Sequence, residues 1–555
     1  MAVTATIVAI NSKYVHSSLA PWCLLASVES PAKASVVEGT INEPQDQLLN
    51  RILATKPDLV AFSCYIWNIN CVSDLLPLLR KKLPQVRILL GGPEVSYRAE
   101  NVLSTLNADY VLSGEGEEPF SRFLNQFPDP SGIGGLSYRT DSGLVIAEPY
   151  LTEEIPQSPY TPEYFSALKG RIAYLETSRG CPFSCAFCLS GRCGKPRFYP
   201  MERAKEELLL LANSGSKTVK LVDRTFNANP KRAYELWSFL LDQMDELPPD
   251  VCFHFEIGGD LLDEDSLNLL SRFPAGRIQL EIGLQSFSEQ TLQAVCRKTD
   301  NERLKENIRR LVAMGNMHIH IDLIAGLPHE DYSTFGESFN TAFALRPQML
   351  QLGFLKLIYG SKMREEPKTY PCTYSKNAPY EVQSTPWLSE EELARLHLIE
   401  DILERMYNSG RFTETVEYLL KATDFTPFML FERIADQLGA LPAGTTLDRF
   451  TEMLLPILLS FPCVEKDLLR DALVTDRLST DASGRVPLCL DPKDERIGPL
   501  RHLLDEDSNT RRPGGIRRGM VCLKSKPYAI YADYVKPHPV TGRYPLTFIS
   551  FATDG

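Results

Sequence analysis

A chain of 555 residues exceeds what one hydrophobic core usually supports, so two or three domains are expected, and a 43% hydrophobic content is enough to build them. The net charge of -12 leaves no global electrostatic footprint for nucleic acid or an anionic membrane, although a basic groove on one face stays open. The N-terminus carries no basic segment followed by an apolar run, and the most apolar stretch, Met453–Phe461, is short and interrupted by Pro456, which predicts a cytoplasmic protein without a membrane span.

Of thirteen cysteines, Cys23, Cys64, Cys71, Cys252, Cys296, Cys372, Cys463, Cys489 and Cys522 are scattered and odd in number, the pattern of reduced thiols rather than of a disulfide framework. Residues 1–130 alternate short apolar runs, Thr6–Ile10, Ala34–Glu38, Leu59–Ser63, Val86–Leu90 and Tyr110–Leu112, with helix-length segments. That alternation predicts a doubly wound, Rossmann-like parallel sheet covered on both faces. A ligand of such a sheet sits beyond the carboxyl ends of its strands. Those ends are Asn11–His16, Ser63–Asn68, Gly91-Gly-Pro-Glu94 and Gly114-Glu-Gly116, the last two glycine-rich, as backbone in close approach to a ligand requires. Residues 131–165, rich in Gly, Ser and Pro, read as a linker with a small hairpin around Asp141-Ser-Gly.

Residues 166–370 repeat the strand–helix alternation, with strands expected at Ile172–Thr177, Val219–Asp223, Cys252–Ile257, Ile278–Leu284, His318–Ile324 and Leu350–Leu357. Repeated βα units predict a full or partial barrel with its site at the carboxyl ends of the strands. Ile278, Leu280, Ile282 and Leu284 share one face of their strand, and Gln279, Glu281, Gly283 and Gln285 share the other. Phe253, Phe255 and Ile257 oppose His254, Glu256 and Gly258 in the same way, as Ile319, Ile321 and Leu323 oppose His318, His320 and Asp322. Neighbouring strands with polar second faces imply an interior that holds a polar ligand, where a filled barrel would be apolar.

The specific signal is Glu176-Thr-Ser-Arg-Gly-Cys181-Pro-Phe-Ser-Cys185-Ala-Phe-Cys188, which follows an apolar run. Thiolates are the standard ligands of iron–sulfur clusters, and three of them leave one iron of a four-iron cluster open for chemistry. Zinc is the competing reading, but it usually takes two close pairs of ligands and a second pair is missing nearby. Cys193, five residues on, is a candidate catalytic thiol or a plain loop thiol, and Arg197 is either a cation facing a bound carboxylate or a solvated charge.

After Pro371 the pattern turns mainly helical, through a capping box at Ser389–Glu392, an apolar stripe from Leu393 to Met406, and helical stretches at Thr413–Leu420, Pro427–Leu438 and Leu447–Phe461. Strand-like runs return at Met520–Lys524, Ala529–Val535 and Thr547–Phe551. Arg511, Arg512, Arg517 and Arg518 flank Gly514-Gly515 in a loop-like segment that is either solvated or an anion contact. Residues 371–555 are thus expected to form an accessory domain.

Cys181-x3-Cys185-x-Phe187-Cys188 resembles the signature of the radical S-adenosylmethionine (SAM) superfamily, and residues 1–130, through Gly91-Gly-Pro and Gly114-Glu-Gly-Glu117, resemble the cobalamin-binding domain fused to many of its members. The tail resembles the uncharacterised C-terminal domain of one subgroup of those proteins. The resemblance implies a 4Fe-4S cluster on Cys181, Cys185 and Cys188. It implies SAM contacts from Asp223, Glu256, Glu281, Gln285, Gly326 and Pro328, and cobalamin contacts from His16, Ser63, Gly91, Gly92, Gly114 and Glu115. The usual cobalamin loop, Asp-x-His-x-x-Gly, is altered here to Tyr14 at the aspartate position and Leu19 at the glycine position, so His16 on cobalt and a form with no protein nitrogen on cobalt both stay open.

The activity implied is reductive cleavage of SAM to a 5′-deoxyadenosyl radical and methylation of an unactivated carbon, with an electron donor such as flavodoxin or ferredoxin. A cobalamin-assisted radical rearrangement without methyl transfer, and a non-catalytic electron-transfer protein, are the alternatives. Methylthio transfer to RNA would want a second three-cysteine set, and Cys23, Cys64 and Cys71 lack its spacing.

Overall fold

The computed structural model describes residues 3–506 and 518–550, so Arg511, Arg512, Arg517 and the glycines between them lie outside the described residues. The chain divides into two compact units. One comprises Met1–Phe273, Leu292–Asp300 and Phe354–Pro386, and the other Pro274–Thr291, Asn301–Gly353 and Trp387–Gly555.

The first unit begins with β1 (Thr4–Asn11), β2 (Lys33–Thr40), β3 (Leu59–Ser63), β4 (Arg87–Gly91) and β5 (Tyr110–Leu112), followed by the hairpin β6 (Leu136–Thr140) and β7 (Gly143–Val145). They form one sheet in the order β2-β1-β3-β4-β5-β6-β7, parallel through β5 and antiparallel beyond it. Because successive side chains point to opposite faces, Val8, Val60, Phe62 and Ile88 are buried in one core and Ile7, Leu59, Ala61 and Leu89 in another, as a sheet covered on both sides requires. The hairpin expected in residues 131–165 forms, and it pairs with the three-residue strand β5, covering an edge that would otherwise be open.

Next come β8 (Ala173–Leu175), β9 (Ser178–Arg179), β10 (Arg197–Phe198), β11 (Thr218–Leu221) and β12 (Cys252–Ile257). Strands β8, β11 and β12 pair in parallel with helices Met201–Ala212 and Pro230–Asp242 between them, while β9 and β10 form a two-stranded antiparallel clip at the two ends of the cysteine loop. In the second unit β13 (Ile278–Gln285), β14 (Met317–Ala325) and β15 (Met349–Phe354) are neighbours in the order 15-14-13. Burial alternates along β13, with Ile278, Leu280, Ile282 and Leu284 buried and Gln279, Glu281, Gly283 and Gln285 half-buried, so the two faces expected from the sequence are present. A short hairpin of the first unit, β16 (Thr373–Tyr374) and β17 (Val382–Ser384), follows.

The C-terminal part is mainly helical and ends in an antiparallel sheet of β18 (Arg518–Cys522), β19 (Tyr528–Asp533) and β20 (Leu546–Ser550). The capping box of Ser389 and Glu392 opens helix Glu390–Leu403 as expected. Helix Lys466–Thr480 was not expected, because buried Arg470, Asp471 and Asp476 interrupt its apolar stripe. Each has a structural use: Arg470 donates to Leu490 O at 2.8 Å and Cys522 O at 2.7 Å, Asp471 accepts the N–H groups of Lys524 and Ser525 at 3.0 and 2.8 Å, and Asp476 accepts the N–H groups of Glu414 and Thr415 at 2.9 and 2.8 Å at the start of helix Thr413–Ala422. No helix among the described residues is long and apolar enough to cross a membrane.

Gly92 has φ +106°, and a Cβ there would stand 2.6 Å from Cys64 O. Gly92→Ala is therefore expected to destabilise the first sheet by about 1–3 kcal/mol, read as a lower urea midpoint at unchanged slope.

Candidate functional site

Cys181, Cys185 and Cys188 lie half-buried and unbridged on the loop that β9 and β10 close. The loop has little regular structure of its own, so neighbouring segments hold it. Ala186 donates its N–H to Val295 O at 2.9 Å and accepts from Met363 N–H at 3.0 Å. Gly180, φ +88°, lets the loop close, since a Cβ there would stand 2.8 Å from both Gly194 O and Lys195 O. Burial pushes the Cys185 thiol up, against the pull of Arg297, whose Nη1 is 3.8 Å from Sγ; the thiols of Cys188 and Cys181 stand near enough to push it further. Cys181 Sγ is 3.6 Å from Thr225 Oγ1, and Cys188 Sγ accepts from Ser190 N–H at 3.3 Å. Cys193 Sγ is directed at Leu189 O, 3.9 Å away, and burial raises its thiol, the reverse of what a reactive cysteine needs.

An ion-pair network ties this loop to the first sheet. Arg179 bonds Glu176 at 2.9 Å, Glu117, and Glu115 at 3.4 Å, and Arg197 pairs with Glu115 and donates to Thr152 O. Arg197 is thus neither a solvated charge nor open to a ligand. Burial pushes the Glu117 carboxyl up, but Arg179 and then Arg197 outweigh it and hold the group below the usual glutamate range.

The six residues assigned to cobalamin lie at or beyond the carboxyl ends of β1, β3, β4 and β5, Ser63 and Gly91 as the last residues of their strands. The strand order reverses between β1 and β3, the place where doubly wound sheets take their ligands. There Asn68 Nδ2 donates to Ile10 O at 3.0 Å and Ser63 O at 2.9 Å, and the rings of Tyr65 and Trp67 stack with centroids 4.3 Å apart; Trp67 is 45% exposed. Neither aromatic was singled out from sequence, because its position at the switch follows from strand order. Gly92 and Gly114 are crowded by the chain's own backbone, Cys64 and Tyr150, so the fold itself requires glycine at both. His16 Nδ1 is 2.8 Å from Tyr174 Oη, and burial, then Lys13, Lys220 and Arg171, lower its pKa.

Of the residues assigned to SAM in the first unit, Asp223 is buried and its carboxylate accepts from Thr177 N–H at 3.2 Å, Thr177 Oγ1 at 3.0 Å and Ser178 Oγ; burial raises it to about 6. Glu256 is 3.1 Å from Lys220 Nζ on the adjacent strand. In the second unit Glu281 stands directly opposite His320, and His320 Nε2 is 2.9 Å from Asp322 Oδ1. Gln285 has φ +73° at a register shift between β13 and β14, and its buried Oε1 has no hydrogen-bond partner among the described residues. Gly326, φ +92°, and Pro328 follow β14, and Glu330 beyond them accepts from Ser286 Oγ at 2.5 Å and Ser338 Oγ at 3.0 Å while burial raises it to about 7.

Three family profiles match in succession: the B12 binding domain at residues 5–124, the radical SAM superfamily at 175–342, and a protein of unknown function (DUF4080) at 368–509. The three matches follow one another along the chain without overlap, the B12 binding match first, the radical SAM match second and the DUF4080 match last. The chain is 27% identical over 320 residues to the cobalamin-dependent radical SAM methyltransferase TokK of Streptomyces tokunonensis, covering 52% of this chain and 45% of that one. To the 2-(S-pantetheinyl)-carbapenam-3-carboxylate methyltransferase of Streptantibioticus cattleyicolor it is 26% identical over 318 residues, with the same two coverages, so it spans under half the length of either relative. In fold it is similar to the cobalamin-dependent SAM radical enzyme OxsB solved with aqua-cobalamin and SAM, at TM-score 0.59 and 13% identity over 92% of this chain and 82% of that one. The methyltransferase TsrM from Kitasatospora setae, solved with cobalamin and a [4Fe-4S] cluster, is similar at TM-score 0.54 and 17% identity over 68% and 76%.

Two predictions concern buried charge. Arg179→Ala should cost about 3 kcal/mol, because it strands Glu117 partly buried and unpaired and leaves Glu115 with Arg197 alone. Since Glu117 is held below its ordinary value, the stability it contributes is present above the usual glutamate range and lost as pH falls through the lowered value; acid titration of unfolding should show that loss in the wild type and a smaller one in Arg179→Ala. Glu330 has the opposite sign. Its raised carboxyl favours the folded state when protonated, so stability falls as pH rises through about 7, and Glu330→Gln should flatten the pH profile of the urea midpoint there.

Proposed function

We propose that the chain is a cobalamin-dependent radical SAM enzyme that methylates an unactivated carbon of its substrate. The observation that carries this reading is the fastening of Arg179 and Arg197, at the two ends of the cysteine loop, to Glu115 and Glu117 at the carboxyl end of β5, which brings the thiol loop and the B12 sheet into one compact unit. The residues fit the groups. Three unbridged, half-buried thiols on one braced loop suit a cluster with one open iron, and the sheet's switch point, with Trp67 exposed beside it, suits a flat cofactor. When bound, the cluster supplies the electron for cleavage of SAM and cobalamin carries the methyl group.

The chain's own residues orient and shield those groups. Cys181, Cys185 and Cys188 are the cluster ligands, and Arg297 offsets charge at Cys185. Glu281, Gln285, Gly326 and Pro328 are assigned to SAM, with the buried Gln285 Oε1 as the acceptor that a ligand hydroxyl or amine would satisfy. Glu256 shares that assignment, and Asp223 acts by holding Thr177 and Ser178 at the entrance of the cysteine loop. Ser63, Gly91, Gly92, Gly114 and Glu115 shape the cobalamin side, where His16 positions the first loop through Tyr174 and Cys193 takes no step. A reductant and a carbon substrate are the partners this chemistry requires.

The test is anaerobic reconstitution with iron, sulfide and hydroxocobalamin, followed by product analysis with SAM. S-adenosylhomocysteine and 5′-deoxyadenosine together are expected, whereas 5′-deoxyadenosine alone points to rearrangement, and failure to retain cobalamin overturns the reading. Cys185→Ala should lose the cluster absorbance and all SAM cleavage while keeping bound cobalamin.

A further inference from the structure

Glu94 lies just beyond the carboxyl end of β4, two residues past Gly92, and is not among the six residues assigned to cobalamin. Carboxylates on the end loops of a sheet usually face water, because burying a charge is costly, but the Glu94 side chain is only 2% exposed. Two donors share one of its oxygens. Arg98 Nη2 donates to Oε1 at 2.7 Å, and Tyr380 Oη donates to the same Oε1. Oε2 makes no hydrogen bond among the described residues. Burial pushes this carboxyl up, while Tyr380, Arg98 and Arg364 pull it down. The backbone is fixed as well, since Glu94 donates its N–H to Cys64 O at 3.3 Å, beside the close approach of Gly92 to Cys64. A polar atom that its own chain leaves unsatisfied on a buried side chain is one that a ligand can satisfy.

Tyr380 reaches Glu94 from 286 residues further along the chain. It stands between β16 and β17, inside the DUF4080 match, yet it belongs to the same compact unit as the B12 sheet. Its backbone is held on both sides: Tyr380 O accepts from Leu357 N–H at 3.0 Å, and Val382 N–H donates to Leu355 O at 2.9 Å. Its φ of +58° is one that a residue with a side chain keeps only where its surroundings impose it. The ring packs edge-on against Tyr359 with centroids 5.3 Å apart, and the Arg364 guanidinium lies 4.6 Å from its centre. Arg98 lies 4.4 Å over the ring of Tyr359. The phenol and the guanidinium that meet on Glu94 Oε1 are thus braced through one shared tyrosine.

We propose that Glu94 is a cobalamin contact whose Oε2 accepts an N–H from a primary amide on the corrin rim, and that Tyr380 is the positioning residue that sets it. The inference rests on the first sheet being a cobalamin site, and it gives the amino end of the DUF4080 region a part in cofactor binding. The chemistry of the cofactor selects the corrin rim. Its amide side chains are neutral N–H donors, whereas the nucleotide tail carries a phosphate that a carboxylate repels. A charged acceptor makes a hydrogen bond roughly twice as strong as a neutral one, so a single well-set oxygen orients the ring. Tyr380 and Arg98 do the setting, because with both donors on Oε1 the second oxygen is the one left for the ligand.

The test is the Kd of hydroxocobalamin for the full-length protein, measured by equilibrium dialysis and read at the corrin absorbance. Tyr380→Phe removes only the hydroxyl. Glu94→Gln keeps an acceptor for Tyr380 and puts an NH2 group in place of the second oxygen. Each variant should bind about tenfold more weakly, and the double variant should bind no more weakly than Glu94→Gln alone, because the two residues act as one unit. Aquocobinamide, which keeps the rim amides and lacks the nucleotide, should be weakened by the same factor. The control is Tyr374→Phe, which takes from β16 a hydroxyl that makes no hydrogen bond among the described residues; it should bind as the wild type does. Iron content after reconstitution and the far-UV spectrum should match the wild type in every variant, which separates weaker binding from lost folding. Unchanged binding by Tyr380→Phe or Glu94→Gln, equal weakening by Tyr374→Phe, additive effects in the double variant, or unweakened cobinamide overturns the proposal. Failure of the wild type to bind hydroxocobalamin at all instead overturns the cobalamin reading on which it rests.

Discussion

Three thiols can share one metal centre only if the loop that carries them is held from outside, because a segment without its own hydrogen-bond ladder has many conformations to lose. Here the restraint comes from ion pairs as much as from backbone hydrogen bonds. Arg179 and Arg197, at the two ends of the loop, converge on Glu115 and Glu117, and β9 pairs with β10 to close the base. The midpoint, Ala186, is pinned on both sides by backbone hydrogen bonds to Val295 and Met363. Removing either kind of restraint frees the thiols to move apart.

The same ion pairs explain why the B12 sheet and the thiol loop fall in one compact unit. Glu115 and Glu117 flank the turn after β5, so charges that would otherwise cap a helix are committed to two arginines more than sixty residues away in the chain. Desolvating such charges is costly, and several partners each are needed to offset it. A comparable economy runs through the C-terminal part, where Asp476 takes two backbone N–H groups and Arg543, and Asp471 takes the N–H groups of Lys524 and Ser525. Buried charge in both units joins segments distant in sequence.

Local pattern predicted the strands well wherever apolar residues alternate or run together. Leu59–Ser63, Tyr110–Leu112 and Cys252–Ile257 occur with the bounds expected, and the two faces of β13 separate as the alternation requires. The three cysteines were legible because their spacing is itself the chemical signal. The helix Lys466–Thr480 was hidden because its inward face carries charged residues, and Tyr65 and Trp67 were hidden because nothing in a short loop says that it lies at the point where strand order reverses. The glycines at 92 and 114 were legible as glycines but for a different reason: a Cβ at either would strike the chain's own backbone.

What the sequence by itself determined is what depends on spacing and period, namely three cysteines on one loop, a doubly wound sheet before it and strands with one polar face after it. What only the tertiary structure decided is which charges meet. Arg197 read as a loop cation, and folding turned it into one end of a clamp on Glu115; Asp223 read as a SAM contact, and it is the fold that sets Thr177 and Ser178 against its carboxylate. The physical reason is range. Side-chain periodicity is set within a few residues by backbone geometry, whereas a buried ion pair is set by which distant segments the cores bring together, and no local pattern carries that information.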